Sequence, residues 1–313
     1  MKAILLHDFG GVENLEASDI PVPAIREGEV LIQVKAISIN PVDLKIRQGV
    51  KMVGREKDRL PLLLGWDLSG TIAEVGKSVK NFKIGDEVFA MINYPGLGNT
   101  YAEFVVADPS QLALKPASIG FDAAAAATLS ALTAWQALTI YGEVRKGDKV
   151  LIHAASGGVG HFAVQMAKSL GAYVIGTSSA DNRDFVLSLG ADEHIDYRKT
   201  KVEDMVSNLD FILDPLGGAN TVNALAMARK GGSVVSIVFG FTEELFQIAA
   251  EREINAFNPQ VRPSGGNMKQ IADLLKNGAV RSHIGRSFSF DEMASAHLLL
   301  ESGRSVGKII LNF

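Results

Sequence analysis

One stretch constrains this chain more than any other. A compact apolar run, Lys149–Ala154, leads into Ala155-Ser156-Gly157-Gly158-Val159-Gly160, then a helical pattern over Phe162–Leu170 and a second extended run, Tyr173–Thr177. Strand, glycine-rich turn, helix and strand at this spacing make a βαβ unit, with both strands parallel in one sheet. The turn matches G-x-G-x-x-G with alanine in the first place. Gly157 lets main chain approach a pyrophosphate, and Gly160 lets the helix pack closely on the strand. The helix N-terminus turns its first N–H groups and a partial positive charge towards the anion. In isolation such a turn can be only a turn; between these two strands it marks a dinucleotide site at Ser156, Gly157, Gly158, Val159 and Gly160.

The end of the second strand chooses between dinucleotides. An NAD site carries Asp or Glu about 20 residues after the turn, on the adenosine ribose 2′-hydroxyl. Here that position falls on Thr177-Ser178-Ser179, and no acid is present. A carboxylate would repel a 2′-phosphate, whereas hydroxyls hydrogen-bond to it. Arg183 either adds charge or lies on a solvated helix face, and Tyr197 is a further donor. NADPH is the expected cofactor.

The rest of the chain divides around this unit. Before about residue 115, short extended segments (Ala3–Leu6, Glu29–Ile39, Leu68–Val75, Glu87–Ile92, Tyr101–Val106) alternate with Gly, Pro, Asn and Asp turns, which describes a mostly β domain. From Phe121 the texture changes to one alanine-rich helix over Ala123–Tyr141, and then strands and helices alternate through Asp210–Leu213 and Ser233–Phe239. Helices at Asn267–Asn277 and Asp291–Glu301 and a strand at Lys308–Asn312 close the chain. The expected division is 1–121, 122–262 and 263–313.

Composition excludes several functions. With 31 Lys+Arg against 35 Asp+Glu the net charge is −4, too little positive field to hold nucleic acid or an anionic membrane. There is no cysteine, so disulfides, thiolate metal sites and a cysteine nucleophile are absent. No run resembles a signal peptide or reaches the roughly 18 apolar residues of a membrane span, and a cytoplasmic location is expected.

Further motifs carry a resemblance. Asn40-Pro41-Val42-Asp43-Leu44-Lys45-Ile46-Arg47-Gln48-Gly49, Leu64–Gly76, Ile84–Val88, Ala155–Gly160 and Gly307–Ile310 occur in the order found in the medium-chain dehydrogenase/reductase superfamily. More narrowly they resemble its zinc-independent quinone oxidoreductase branch, with zeta-crystallin-like proteins and alkenal/enone reductases. The resemblance covers nearly the whole chain. It implies an α/β protein: a Rossmann doubly wound parallel sheet plus a mostly β GroES-like catalytic domain to which the C-terminus returns. An active site in the cleft between them and a homodimer, for which Ser233–Phe239 is a suitable apolar strand, are also implied.

By alignment, the catalytic metal ligands of the zinc-dependent members, a Cys and a His-Glu pair, fall on Asn40, Trp66 and Asp67. Trp cannot ligate zinc, and the six histidines show no ligand spacing. Without a Lewis acid, hydride transfer to a simple ketone leaves a poorly stabilised oxyanion. A conjugated acceptor relaxes that demand, because hydride at the β-carbon of an enone gives a delocalised enolate, and a quinone gives a hydroquinone anion. Quinones or α,β-unsaturated carbonyls are therefore the expected substrates. An enoyl-thioester reductase, served by the run Lys51, Arg55, Lys57 and Arg59 with Glu56 and Asp58 interspersed, is one alternative. A non-catalytic NADPH-binding protein is the other.

Asn40, Asp43 and Lys45 are expected at the cleft, Lys45 as the cation or proton donor for the enolate. Asn40 and Asp43 have a second reading as loop fixers, and Lys45 has a similar non-catalytic one. Tyr94 either lines the pocket or caps a turn. On the cofactor side the resemblance implies that Thr133 hydrogen-bonds near the nicotinamide and that the main chain at Phe239-Gly240 touches it, unless Phe239 packs in the core. Arg262 reaches the diphosphate or only solvent.

Overall fold

The computed structural model describes residues 1–50 and 59–313. The chain forms two compact units, Met1–Leu132 with Arg262–Gly278 and Ser282–Phe313, and Thr133–Val261 with Ala279–Arg281.

The first unit opens with β1 (Lys2–Leu6), β2 (Leu15–Asp19) and β3 (Val30–Ser38). Helix α1 (Pro41–Arg47) follows where the sequence suggested a loop. Its signals are local: Asn40 at the N-cap, Pro41 at the first helical position and Asp43 two residues later, whose carboxylate accepts from the Asn40 N–H at 2.7 Å. Gly49, at φ 70°, stops it in the left-handed conformation that glycine adopts without a Cβ penalty. Then come β4 (Leu62–Leu63), β5 (Asp67–Val75), β6 (Glu87–Met91), β7 (Phe104–Ala107) and β8 (Ala113–Leu114).

The expected helix over Ala123–Tyr141 is three pieces. They are α2 (Phe121–Ala126), α3 (Leu129–Gln136) and a wide turn over Ala137–Tyr141. The break has a visible cause: the Thr128 hydroxyl donates to the Ala125 carbonyl at 2.7 Å, an alternative to a continuing helix. Ala125 and Ala126 of α2 are buried with Ala36 of β3, so α2 belongs to the first unit. The units divide at Leu132/Thr133, inside α3, rather than at 121/122.

The second unit is the expected βαβ series. It runs β9 (Lys149–Ile152), α4 (Gly160–Ser169), β10 (Tyr173–Ser178), α5 (Arg183–Ser188), β11 (Glu193–Asp196), β12 (Leu209–Asp214), α6 (Ala219–Met227), β13 (Ala228–Ser236), α7 (Glu243–Glu251) and β14 (Asn255–Phe257). The six strands are parallel in the order β11-β10-β9-β12-β13-β14. The order reverses at β9, and an open α/β sheet binds its ligand at the carboxyl ends beside such a switch point. Leu151, Ile175, Ile212 and Val234, one from each of four adjacent strands, are buried with Ala224 and Leu225 of α6 and Ala249 of α7. The run Ser233–Phe239 is not an edge, because β13 ends at Ser236 and is paired on both sides; the edges are β11 and β14.

The chain returns to the first unit as α8 (Gly265–Lys276), β15 (Ile284–Ser289), α9 (Met293–Glu301) and β16 (Lys308–Asn312). There the order β15-β16-β3-β5-β6-β8, with β7 also pairing β3, completes a seven-stranded sheet; β2-β1-β4 form a smaller one. No helix among the described residues is long and apolar enough to cross a membrane.

Candidate active site

In the second unit the turn between β9 and α4 is built around two close approaches. A Cβ on Gly160 would stand 2.1 Å from the Ala154 carbonyl oxygen, so only glycine lets α4 start against the strand end. The same addition at Gly157 would meet nothing nearer than that oxygen at 3.2 Å. The left-handed residue of the turn is Ala154, at φ 49°, one place before the alanine that replaces the motif's first glycine. Val159 is the N-cap of α4, and Gly158 lies in the turn before it. A ten-residue helix begun at this turn presents first-turn N–H groups that have no partner within the helix. These residues fit a dinucleotide pyrophosphate.

The β10 end gathers polar side chains beside this turn. Thr177, Ser178 and Ser179 are all buried. Thr177 Oγ1 lies 3.2 Å from His153 Nδ1. Ser178 donates to the Ser179 carbonyl at 3.0 Å, and its Oγ lies 2.8 Å from His194 Nε2. With its one proton committed, Ser178 accepts from His194. Asn182 Nδ2 donates to Ser156 Oγ at 3.2 Å and to Ser179 Oγ at 3.3 Å, tying the glycine turn to the strand end. Burial and the Arg183 charge hold the His194 imidazole below its ordinary pKa, against Asp196. Burial also lowers His153, against Asp214 and Glu203.

Arg183 and Tyr197 are exposed: Arg183 pairs with Asp184 at 3.2 Å, and the Arg198 guanidinium sits over the Tyr197 ring. His194 and Asn182 escaped the sequence reading. Asn182 immediately follows Asp181 in a polar turn, and His194 sits on the next strand, so neither has a spacing signal of its own.

Further along the carboxyl edge, Thr133 lines a small recess with Gln136, Ala137, Tyr141, Ile237, Pro259 and Val261. Phe239 is 49% exposed at φ 59°, which overturns core packing as its role. Gly240 is a packing requirement, since a Cβ there would lie 2.2 Å from Thr221 Oγ1. Thr221 in turn donates to Asp214 at 2.5 Å, and Asp214 also accepts from the Leu216 and Gly217 N–H groups at 2.9 Å.

In the first unit the expected catalytic residues separate. Lys45 is exposed on α1, whereas Asn40 and Asp43 are buried, and Asp43 Oδ2 accepts from the Asn40 N–H. The Asn40 amide donates to Asp67 at 2.8 Å and accepts from the Lys308 ammonium at 2.6 Å. Asn40 and Asp43 therefore fix the loop and the start of α1 instead of facing a substrate. Burial and the Asp67 charge push Asp43 up to about 7, against the Asn40 N–H and the Lys308 charge. Tyr101 faces Asp43, and its hydroxyl lies 3.0 Å from His297 Nε2. Burial holds His297 down to about 3, helped by the Arg47 charge. Tyr94 is buried, edge-on to Trp66 at 5.6 Å between centroids. Arg59 is exposed; Lys51, Arg55, Glu56, Lys57 and Asp58 lie outside the described residues.

The three aligned metal positions do not fit a metal. The Trp66 indole donates to the Gly96 carbonyl at 2.6 Å. Asp67 already accepts from Ser38, Asn40 and the Leu129 N–H, and an ammonium stands within the group.

Two family models match, the alcohol dehydrogenase GroES-like domain over residues 26–117 and the zinc-binding dehydrogenase over 189–311. The chloroplastic NADPH-dependent alkenal/one oxidoreductase of Arabidopsis thaliana is 33% identical over 321 residues, 99% of this chain and 79% of the relative. Among solved structures, the quinone oxidoreductase of Coxiella burnetii superposes with TM-score 0.94 at 35% identity, covering 100% of this chain and 99% of that one. The Escherichia coli quinone oxidoreductase complexed with NADPH gives TM-score 0.89 at 27% identity, with 100% of each chain covered. The chain belongs to the medium-chain dehydrogenase/reductase superfamily, in the branch that holds the quinone and alkenal/one oxidoreductases.

Proposed function

We propose that this protein is an NADPH-dependent reductase of quinones and α,β-unsaturated carbonyls that works without a catalytic metal. One observation carries the choice of cofactor: the end of β10 presents hydroxyls, an amide and an imidazole where an NAD site presents a carboxylate. Ser156 and Ser179 each accept from Asn182, so each keeps its own proton to donate to an anion. Arg183 adds positive charge.

When bound, the nicotinamide supplies hydride to the β-carbon of the acceptor. The protein holds the cofactor's phosphates at the β9 turn and positions the conjugated carbonyl. The charge that develops is spread over the enolate, so one cation or a few hydrogen-bond donors suffice to stabilise it. Lys45, exposed on α1, is the candidate for that cation and for the proton that completes the saturated ketone.

Steady-state oxidation of NADPH and NADH, each with a quinone, a short alkenal and an enoyl-CoA, tests the reading. The expected result is turnover with quinone or alkenal and a kcat/KM at least ten-fold higher for NADPH. A preference for NADH would remove the cofactor assignment, and binding without turnover would leave a non-catalytic protein. Lys45→Ala should lower kcat/KM for the alkenal by about ten- to a hundred-fold; an unchanged value excludes it.

A further inference from the structure

Lys308 is a charged residue buried at the start of β16, 3% exposed, and neither the cofactor turn nor the proposed chemistry accounts for it. Its ammonium has three protons and three hydrogen-bond acceptors: the Ile39 carbonyl at 3.2 Å, Asn40 Oδ1 at 2.6 Å and Ser130 Oγ at 3.1 Å. A fourth oxygen, Oδ2 of the fully buried Asp67, stands at 3.9 Å. Three oxygen acceptors and a nearby carboxylate satisfy one buried ammonium, and this all-oxygen set differs from the nitrogen and sulfur ligands that zinc takes.

Two of these four groups, Asn40 and Asp67, occupy positions aligned with metal ligands in zinc-dependent members of the superfamily. Both are saturated by protein partners. Asp67 accepts from Ser38 Oγ at 2.9 Å, Asn40 Nδ2 at 2.8 Å and the Leu129 N–H at 2.9 Å. The Asn40 N–H goes to Asp43 at 2.7 Å.

We infer that Lys308 is a built-in cation: its ammonium fills the cage of Asn40, Asp67, Ser130 and the Ile39 carbonyl, takes the place of a metal, and acts as the positioning residue for the Asn40 loop and α1. The cage explains why Asn40, an amide with a donor and an acceptor, suits this position. It faces the Asp67 anion with its NH₂ and the ammonium with its oxygen. A planar guanidinium carries the charge but not the tetrahedral donor set, so arginine is not an equivalent.

The test uses the full chain and thermal unfolding, with reductase kinetics as a second readout that alone rests on the proposed function. Lys308→Met leaves Asp67 buried without its counter-charge and should lower Tm by about 5–10 °C. Lys308→Arg should fail to restore it. Lys308→Ala keeps Cβ and lacks a propylammonium's worth of atoms. Added n-propylammonium should therefore raise its Tm saturably while propanol and guanidinium do not, and none of the three should act in this way on the unaltered protein. In the kinetic readout Lys308→Met should lower kcat at least ten-fold with KM for NADPH within about two-fold, because the phosphate turn lies in the other unit.

If Lys308→Ala does not fold, the double variant Asp67→Asn with Lys308→Met decides. Removing both charges should recover most of the Tm that Lys308→Met alone loses. The inference is overturned if Lys308→Met unfolds at the unaltered temperature, if propanol restores Lys308→Ala as well as propylammonium does, or if the double variant is no more stable than Lys308→Met. Stoichiometric zinc retained by the unaltered protein after dialysis would also overturn it.

Discussion

At the scale of single residues, Asn182 sets the hydroxyls that the proposed NADPH site would use. Thr177 Oγ1 faces His153, and Ser178 has spent its proton on the Ser179 carbonyl. Only Ser179 of the three, with Ser156 from the glycine turn, accepts from Asn182 and so has its O–H set to donate outward. Asn182→Ala leaves both hydroxyls free to rotate. It should weaken NADPH about five- to twenty-fold, the worth of one to two hydrogen bonds to a charged group, and weaken NADH less than three-fold. Fluorescence titration of the reduced nicotinamide measures both affinities. Equal losses would place Asn182 at the shared diphosphate, and no loss would remove it from the site. The missing acid at Thr177-Ser178-Ser179 was legible because it is a residue type at a counted position. The hydroxyl orientations were not, because they depend on which proton each neighbour takes.

At the scale of elements, α1 and α9 enclose opposed titrations. Asp43 and Arg47 lie one turn apart on α1, His297 and Glu301 one turn apart on α9, and Arg47 pairs with Glu301 at 2.9 Å. Asp43 sits at about 7 against an ordinary 3.8. The folded state therefore holds that proton more tightly than the unfolded chain, and stability falls as pH rises from about 4 to 7. His297 sits at about 3 against an ordinary 6.5. The folded state resists that proton, and stability falls as pH drops from about 6.5 towards 3. Between about pH 4.5 and 6 the two slopes, each roughly 1 kcal/mol per pH unit, run against each other and nearly cancel. Substituting either partner unmasks the other. Relative to the unaltered protein, Asp43→Asn should lose about 1 kcal/mol on going from pH 6 to 5, and His297→Gln should gain a similar amount. Urea unfolding at the two pH values measures this, and parallel behaviour of all three proteins would refute the opposition. The sequence suggested a loop at Asn40–Lys45, although Asn40, Pro41 and Asp43 are local signals of a helix start, and the partners of that start, Asp67, Tyr101, His297 and Lys308, arrive from far along the chain. Local patterning holds the signals of α1's beginning and none of what it is pinned to.

At the scale of the whole molecule, the same difference between local and distant information decides which strands are edges of the sheet. The βαβ alternation was readable because each strand and helix carries its own periodicity. Strand order was not, and so Ser233–Phe239 passed for an edge although β13 is paired on both sides. The true edges differ in chemistry. β11 carries Glu193 and Asp196 with Asp192 just before it, and charge on an edge opposes pairing with a second sheet. β14, Asn255-Ala256-Phe257, carries none. We propose this uncharged edge of the six-stranded parallel sheet as the place for a two-fold contact that continues the sheet into a second copy. The expected outcome is a dimer by sedimentation velocity at micromolar concentration. Asn255 is exposed, so Asn255→Lys leaves the fold intact and sets two like charges near each other across the two-fold. This variant should sediment as a monomer at concentrations where the unaltered protein is a dimer, and added salt should restore part of the association by screening. A monomeric unaltered protein, or a variant that dimerises equally well, would move the interface away from β14.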